Sequence, residues 1–146
     1  MVKTGFPEVV RELVALRAVG CCERCHFATQ DMEFHHRRPR GMGGSRADDT
    51  NAASNCLLLC AACHRDTEAQ RGNSLNYGFL VRQGKCPAEV PIWLNWRWVF
   101  LADDGTVVER ETPSDLVKSG VVEGAGNTTR PLTHPSDLTR KGATNG

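Results

Sequence analysis

The chain has 146 residues, 40% of them hydrophobic, and a formal net charge of +1. This length allows one domain with a modest core, and no apolar run approaches the ~18 residues that would cross a bilayer. The small net charge excludes a global field that attracts nucleic acid, so any basic surface must be local. Met1–Pro7 also lacks the basic start and apolar core of a signal peptide, and we expect a cytoplasmic protein without a membrane partner.

The first predicted element is an amphipathic helix from Pro7 to about Ala18. Pro7 suits a first helical position, apolar residues recur after it at three- and four-residue spacing, and Gly20 would end the helix. We interpret this helix as a packing element of the core. A contact of Arg11 and Arg17 with DNA is left open.

Four cysteines stand in two C-x2-C pairs, Cys22 with Cys25 and Cys60 with Cys63. Two such pairs predict a tetrahedral zinc site. Cys21 could pair with Cys25 instead, but the two-residue gap that recurs in the second pair favours Cys22. Because the total of seven cysteines is odd and a secretory signal is lacking, metal ligation in a reducing compartment fits better than disulfides.

A short strand with two adjacent histidines is predicted at Met32–His36. Adjacent side chains of a strand point to opposite faces, so His35 and His36 should have different roles. For an isolated pair of this kind, the alternative is one structural and one solvent-exposed histidine.

A basic, glycine-rich loop follows at Arg37–Ser45, where Pro39 and three glycines exclude a regular helix or strand. Glycines allow a close backbone approach, and arginines donate forked hydrogen bonds to phosphate oxygens. Concentrated positive charge suits a phosphate backbone, although such a segment on its own is more typical of a solvated loop. Between Glu33 and Asp48 there is no acid and there are four arginines: Arg37, Arg38, Arg40 and Arg46.

Beyond this loop we expect a buried strand at Cys56–Leu59 and a helix from Cys60 to about Gln70 that ends at Gly72. On this helix His64 and Glu68 stand four residues apart. They therefore share one face and can address the same metal ion.

Further strands are predicted at Tyr77–Arg82 and Trp96–Ala102, and Asp104-Gly105 is a hairpin turn signal. The three tryptophans of this region are interpreted as core or cover rather than as a base-stacking surface. From about Ser119 the chain has few apolar residues, which predicts a disordered tail. We therefore divide the chain into an N-terminal helix (1–20), a central unit (21–75), a small β-rich extension (76–118) and the tail (119–146).

Three segments together resemble the HNH endonuclease family, in particular its four-cysteine members in phages and bacteria: CERC (22–25), FHHRRPRGMGGS (34–45) and NCLLLCAACH (55–64). The resemblance implies that residues 21–75 form a ββα-metal (His-Me) finger with a structural zinc held by four cysteines. With the N-terminal helix and the small C-terminal β extension, the expected fold class is α+β.

The resemblance also implies roles for single residues. His35 and His64 would hold a divalent ion, His36 would be the general base, and Asn55 would brace the loop that carries the base. Many members of the family have a third histidine ligand where this chain has Glu68, so coordination of the ion by Glu68 is left open.

The arginines of the basic loop are the expected phosphate contacts. Arg37 or Arg38 could contact the scissile phosphate, and we place Arg38 in the catalytic set. Arg37, Arg38, Arg40 and Arg46 form the predicted DNA-binding set. The implied cofactors are a structural Zn²⁺ and a catalytic divalent cation, which could be Mg²⁺, Mn²⁺, Ni²⁺ or Zn²⁺.

The function that the resemblance implies is hydrolysis of DNA phosphodiester bonds by a metal-dependent endonuclease, through nicking or double-strand cutting. The alternative is a zinc-stapled DNA-binding or phage packaging accessory module with an inactive site. DNA is the implied partner, and a phage terminase or another packaging protein is a further candidate. Monomer and dimer are both left open.

Overall fold

The structure is a computed structural model, and it describes residues 5–40 and 47–109. Its centre consists of two antiparallel strands, β1 (Met32–His36) and β2 (Cys56–Cys60), and a helix, α2 (Ala61–Ala69), that begins directly after β2. The register pairs His35 with Leu57 and His36 with Cys56. This ββα unit, with a cysteine cluster beside it, confirms the predicted α+β class and its ββα arrangement.

Strand β2 is buried along its whole length because it separates two parts of the core. On one face, Cys56 and Leu58 pack with Phe6 and Val14 from the N-terminal region. On the other face, Leu57 belongs to a cluster formed by the cysteine group and the C-terminal segment. The uninterrupted apolar run of this strand follows from its burial on both sides.

The predicted N-terminal helix is present as α1 (Glu8–Ala18) and ends at Val19, which adopts a left-handed conformation. The side chain of Arg17, near the end of α1, is only 3% exposed: it forms an ion pair with Glu23 and donates to the carbonyl oxygens of Ala53 and Cys56 at 2.9 and 2.6 Å. A contact of Arg17 with DNA is therefore excluded. Instead, this arginine fastens α1 to the central unit.

The C-terminal part of the described chain forms a three-stranded antiparallel sheet of β3 (Ile92–Leu94), β4 (Arg97–Leu101) and β5 (Val107–Val108). Strand β4 and the turn at Asp104-Gly105 were predicted from the sequence, whereas β3 was not. Ile92, Val99 and Leu101 lie in the same buried cluster as Leu57 and Leu59 of the central unit. The extension and the ββα unit therefore share one core.

The predicted strand at Tyr77–Arg82 is wrong. Gly78 has a φ of +80°, and a Cβ atom there would lie 2.0 Å from the carbonyl oxygen of Pro91. The amide of Leu80 donates to Ser74 and the amide of Val81 to Arg37, so these apolar residues are buried without a strand partner. The apolar residues of this segment indicate that it is buried, but they do not indicate that it pairs as a strand.

The central helix ends near Gln70, as predicted, but Gly72 is not the residue that ends it. Helix α2 ends where Gln70 leaves helical geometry, with φ −106° and ψ 58°. A second helix, α3 (Arg71–Asn76), starts at the next residue and contains Gly72.

Two of the three tryptophans of the extension, Trp93 and Trp98, are half-buried, whereas Trp96 is 57% exposed and is not a core residue. Trp93 and Trp98 face each other across β3 and β4 with ring centroids 5.3 Å apart, and Tyr77 stacks on Trp98 at 6.0 Å.

The predicted segment boundaries at residues 20, 75 and 118 stay predictions, and the predicted tail (119–146) lies outside the described residues. Within the described ranges, no helix combines the length and apolar character that a membrane span needs.

Candidate metal centres and active site

Four buried cysteines form the first candidate metal centre. The Sγ atoms of Cys22, Cys25, Cys60 and Cys63 all lie within 4.8 Å of one another. Cys22 and Cys25 come from the turn after α1, Cys60 ends β2, and Cys63 lies in the first turn of α2. Cys21 is outside the cluster, so its pairing with Cys25 is excluded, and the spacing argument for Cys22 holds.

The thiols of this cluster cannot all ionise together without a compensating cation. A hydrogen bond from Cys63 lowers the pKa of Cys22 to about 4. Burial raises the pKa of Cys25 to about 12, and the hydrogen bond to Cys22 raises the pKa of Cys63. Four convergent thiolates are the donor set of a closed tetrahedral structural zinc, and this cluster fits that ion.

The residues between Cys22 and Cys25 fix the turn to both parts of the ββα unit. Glu23 exchanges hydrogen bonds with Leu58, through its amide at 2.8 Å and its carboxylate at 2.9 Å. Arg24 pairs with Asp66 and donates to the carbonyl oxygen of Cys63 at 3.1 Å. The cysteine cluster therefore sits in a rigid frame of hydrogen bonds that includes β2 and α2.

A second group of possible metal ligands consists of His35, His64 and Glu68, whose ligand atoms also lie within 4.8 Å of one another. His35 comes from β1, while His64 and Glu68 lie one turn apart on α2, on the shared face that their spacing predicted. The two imidazole rings meet edge to face at 5.0 Å. We call these three residues the His-His-Glu triad.

His35 presents one ring nitrogen to the triad and uses the other for a backbone contact. Its Nε2 atom donates to the carbonyl oxygen of Phe79 at 3.2 Å, and its Nδ1 atom lies 3.7 Å from Oε1 of Glu68. Burial lowers the pKa of His35 to about 3, so the ring is neutral at neutral pH. A neutral imidazole with a fixed tautomer is the form that binds metal ions.

His36 has surroundings of its own. Its Nε2 atom donates to Oδ1 of Asn51 at 3.1 Å, and its ring stacks on Phe6 with centroids 3.9 Å apart. The other ring nitrogen is thereby left as the basic one. Burial lowers the pKa of His36 and the charge of Arg40 adds to this effect, while the Asn51 contact opposes it.

Asn55 is fully buried and joins the backbone after β1 to the loop before β2. Its Oδ1 atom accepts from the amide of Arg38 at 2.7 Å, and its Nδ2 atom donates to the carbonyl oxygen of Thr50 at 2.8 Å. Its own carbonyl oxygen accepts from the amide of Arg37 at 2.8 Å. These bonds fix the chain directly beyond His36.

Arg37 is not a DNA contact, because its side chain is completely buried. Its guanidinium donates to four backbone carbonyl oxygens at 2.8 to 3.0 Å, those of Ser54, Gly78, Pro87 and Val90. This arginine holds the extension against the ββα unit. Its assignment to the DNA-binding set is therefore corrected.

The other arginines of the basic loop differ from one another. Arg38 is 6% exposed, forms an ion pair with Asp49 and donates to the carbonyl oxygen of Lys85 at 2.7 Å. Its hydrogen bond lowers the pKa of Asp49. Arg40 is exposed and close to His36, and Arg46 lies outside the described residues.

Three hydrogen-bond partners of the histidines were missed from the sequence. Glu33 contacts His64 at 2.5 Å between Oε2 and Nδ1, and its place two residues before His35 on a strand was the available signal. Asn51 lies in a segment that showed only turn propensity. The carbonyl oxygen of Phe79 could not have been found, because a backbone acceptor has no sequence signature.

Residues 22–70 match the family model described as HNH endonuclease. Comparison with curated proteins and with solved structures gives no match. The matched segment contains both candidate metal centres, His36 and Asn55. The extension that supplies the Phe79 carbonyl lies beyond it.

Proposed function

We propose that this protein is a nuclease, because its residues 22–70 belong to the HNH endonuclease family. Its four-cysteine cluster corresponds to the zinc-binding type of that family. The reaction proposed is metal-dependent hydrolysis of DNA phosphodiester bonds. The family implies DNA as the substrate. The observation that carries the proposal is the combination of the His-His-Glu triad with a neighbouring histidine, His36, whose pKa is lowered by burial.

The triad has the donor chemistry of an open metal site. Three protein ligands leave coordination positions for substrate oxygens, in contrast to the closed set of four cysteines. A divalent ion bound there supplies Lewis acidity toward a phosphate oxygen and stabilises the departing oxygen. The chain contributes two imidazoles and one carboxylate, and burial keeps His35 unprotonated.

The other proposed steps belong to side chains. His36, held by Asn51 and Phe6, takes the proton from the attacking water. Asn55 keeps the backbone beyond His36 in place. Arg40 is exposed next to His36 and is the proposed contact to the DNA backbone, whereas Arg38 reaches a phosphate only if it exchanges its ion pair with Asp49.

The ligand types of the His-His-Glu triad also indicate which metal ions it should prefer. Imidazole ligands suit Ni²⁺, Zn²⁺ and other transition ions, whereas Mg²⁺ is usually bound through carboxylates and waters. We therefore expect stronger support of cleavage by Ni²⁺ than by Mg²⁺ at equal concentration. Glu68 is the proposed third ligand at the place where many members of the family have a histidine.

The test is nicking of supercoiled plasmid by the zinc-loaded protein with Mg²⁺, Mn²⁺, Ni²⁺ or Zn²⁺ added in turn. Conversion to nicked or linear DNA with one or more of these ions, but not with excess EDTA, is the expected result. DNA binding without cleavage under every ion would contradict the proposal and would leave the zinc-stapled binding or packaging module. The predicted phage terminase or other packaging partner, the monomer or dimer state and the cytoplasmic location stay predictions.

The pH dependence of cleavage should reflect the lowered pKa of His36. A general base acts in its neutral form, so a lowered pKa keeps the rate high below the ordinary histidine value of about 6.5, and activity falls only at more acidic pH. Arg40→Gln removes a positive charge that lowers this pKa, and it should move the acid midpoint upward. Single-turnover nicking between about pH 5 and 8, with a saturating concentration of the metal ion, measures the acid midpoints of the wild type and of Arg40→Gln.

The matched control for this pH profile is Arg82→Gln, which removes an exposed arginine outside the site. Its acid midpoint should equal that of the wild type. A wild-type midpoint above the ordinary histidine value, or a downward shift in Arg40→Gln, would contradict the assignment of the acid limb to His36.

A further inference from the structure

Glu33 stands beside the His-His-Glu triad without belonging to it. It lies on β1 two residues before His35, on the same face of the strand. Its Oε2 atom is 2.5 Å from Nδ1 of His64, and because a carboxylate only accepts hydrogen bonds, the ring nitrogen is the donor. The group of mutually close ligand atoms contains His35, His64 and Glu68 but not Glu33.

We propose that Glu33 is a positioning residue of the metal site: its carboxylate accepts the Nδ1 proton of His64 and so presents Nε2 of His64 to the ion. This inference rests on the proposed function, because it assumes that the triad holds a divalent ion. In this role Glu33 contacts His64, and it contacts neither the ion nor the DNA.

The first argument is the symmetry of the two imidazoles. The Nε2 atom of His35 donates to the carbonyl oxygen of Phe79, and Nδ1 of His64 donates to Glu33. Each ring thus uses one nitrogen for an acceptor outside the triad, and its other nitrogen is left for an ion. Metal-binding histidines are usually oriented in this way by a carboxylate or a carbonyl oxygen.

The second argument is that the two histidines need different amounts of support. His35 is held by burial, since only 2% of it is exposed. The side chain of His64 is 31% exposed and would sample other rotamers on the surface of α2. The Glu33 contact links α2 to β1 at this point, so it removes that freedom before an ion binds.

The third argument concerns Glu68, which has a similar outer contact. Its Oε2 atom accepts from Arg71 at 2.9 Å, while Oε1 faces His35. All three members of the triad therefore have a partner outside it. Among these partners Glu33 is a carboxylate, an acceptor that commonly orients a metal-binding histidine.

The experiment measures binding of Ni²⁺ to the zinc-loaded protein by calorimetry, with zinc content checked after the titration. Glu33→Ala should weaken Ni²⁺ binding about 10- to 100-fold, the usual effect of losing such an outer partner. Glu33→Gln should lose less, because its amide oxygen can still accept the proton. Glu12→Gln, at an exposed position of α1, is the matched control and should bind like the wild type.

A double-mutant cycle separates positioning from direct ligation. In a His64→Ala background, Glu33→Ala should cause no further loss of Ni²⁺ affinity, because the residue through which Glu33 acts is gone. An equal loss in both backgrounds, or wild-type affinity in Glu33→Ala, would overturn the inference. If His64→Ala itself binds Ni²⁺ like the wild type, the metal site of the proposed function fails as well, so the two failures are distinguishable.

Discussion

His36→Ala is expected to lose on the order of 10²–10⁴-fold in the rate of DNA cleavage, the usual contribution of a general base. The fold and DNA binding should be retained. The side chain is half-buried, and among the described residues it stacks on a phenylalanine, contacts one asparagine and lies near an arginine. Single-turnover nicking measures the rate, and gel-shift titration of the same plasmid fragment measures binding.

A control variant makes the result specific to His36. His26→Asn changes an exposed histidine outside both metal centres, and asparagine tolerates the left-handed backbone at that residue. This variant should cleave like the wild type. Wild-type cleavage by His36→Ala, with zinc content and melting temperature unchanged, would contradict the proposed base and leave the triad as the only catalytic group.

The His35 and His36 pair shows what strand periodicity can predict. Because neighbouring side chains alternate across a strand, the sequence separates the two residues before any contact is known. The structure gives them different surroundings: His35 lies buried beside His64, and His36 stacks on Phe6. The cysteine cluster was equally predictable, since the C-x2-C spacing carries the geometry of the site.

Arg37 shows where such reasoning ends. Its neighbours in sequence are arginines and glycines, which suggested a phosphate contact. Its neighbours in space are four carbonyl oxygens from residues 17 to 53 positions away. Backbone acceptors carry no side-chain signature, so burial of this guanidinium could not be predicted from the residues around it.

The same limit applies to the extension. Its segment at Tyr77–Arg82 was predicted as a strand from its apolar residues, but its irregular backbone supplies carbonyl oxygens to two residues of the central unit. Gly78 accepts from Arg37 and Phe79 accepts from His35. The match to the family covers residues 22–70, yet the orientation of His35 depends on a segment that follows the matched residues.

Cys63→Ser is expected to prevent stable folding. Structural zinc sites contribute about 10–16 kcal/mol of apparent binding free energy, while an ordinary domain has a net stability of about 5–15 kcal/mol. Cys63 is fully buried and belongs to the four-cysteine cluster that joins the turn after α1 to β2 and α2. Thermal unfolding followed by circular dichroism and the zinc content of the purified protein measure the effect.

Cys86→Ser is the matched control because Cys86 is exposed and outside the cluster. It should keep one zinc and a wild-type melting temperature. Cys56 offers a sharper comparison, since it is fully buried yet not a member of the cluster. Cys56→Ala should cost part of the packing free energy and leave the zinc in place. If Cys63→Ser kept its zinc and melted like the wild type, the structural zinc assignment would be wrong, because loss of one thiolate from a closed tetrahedral site cannot leave both unchanged.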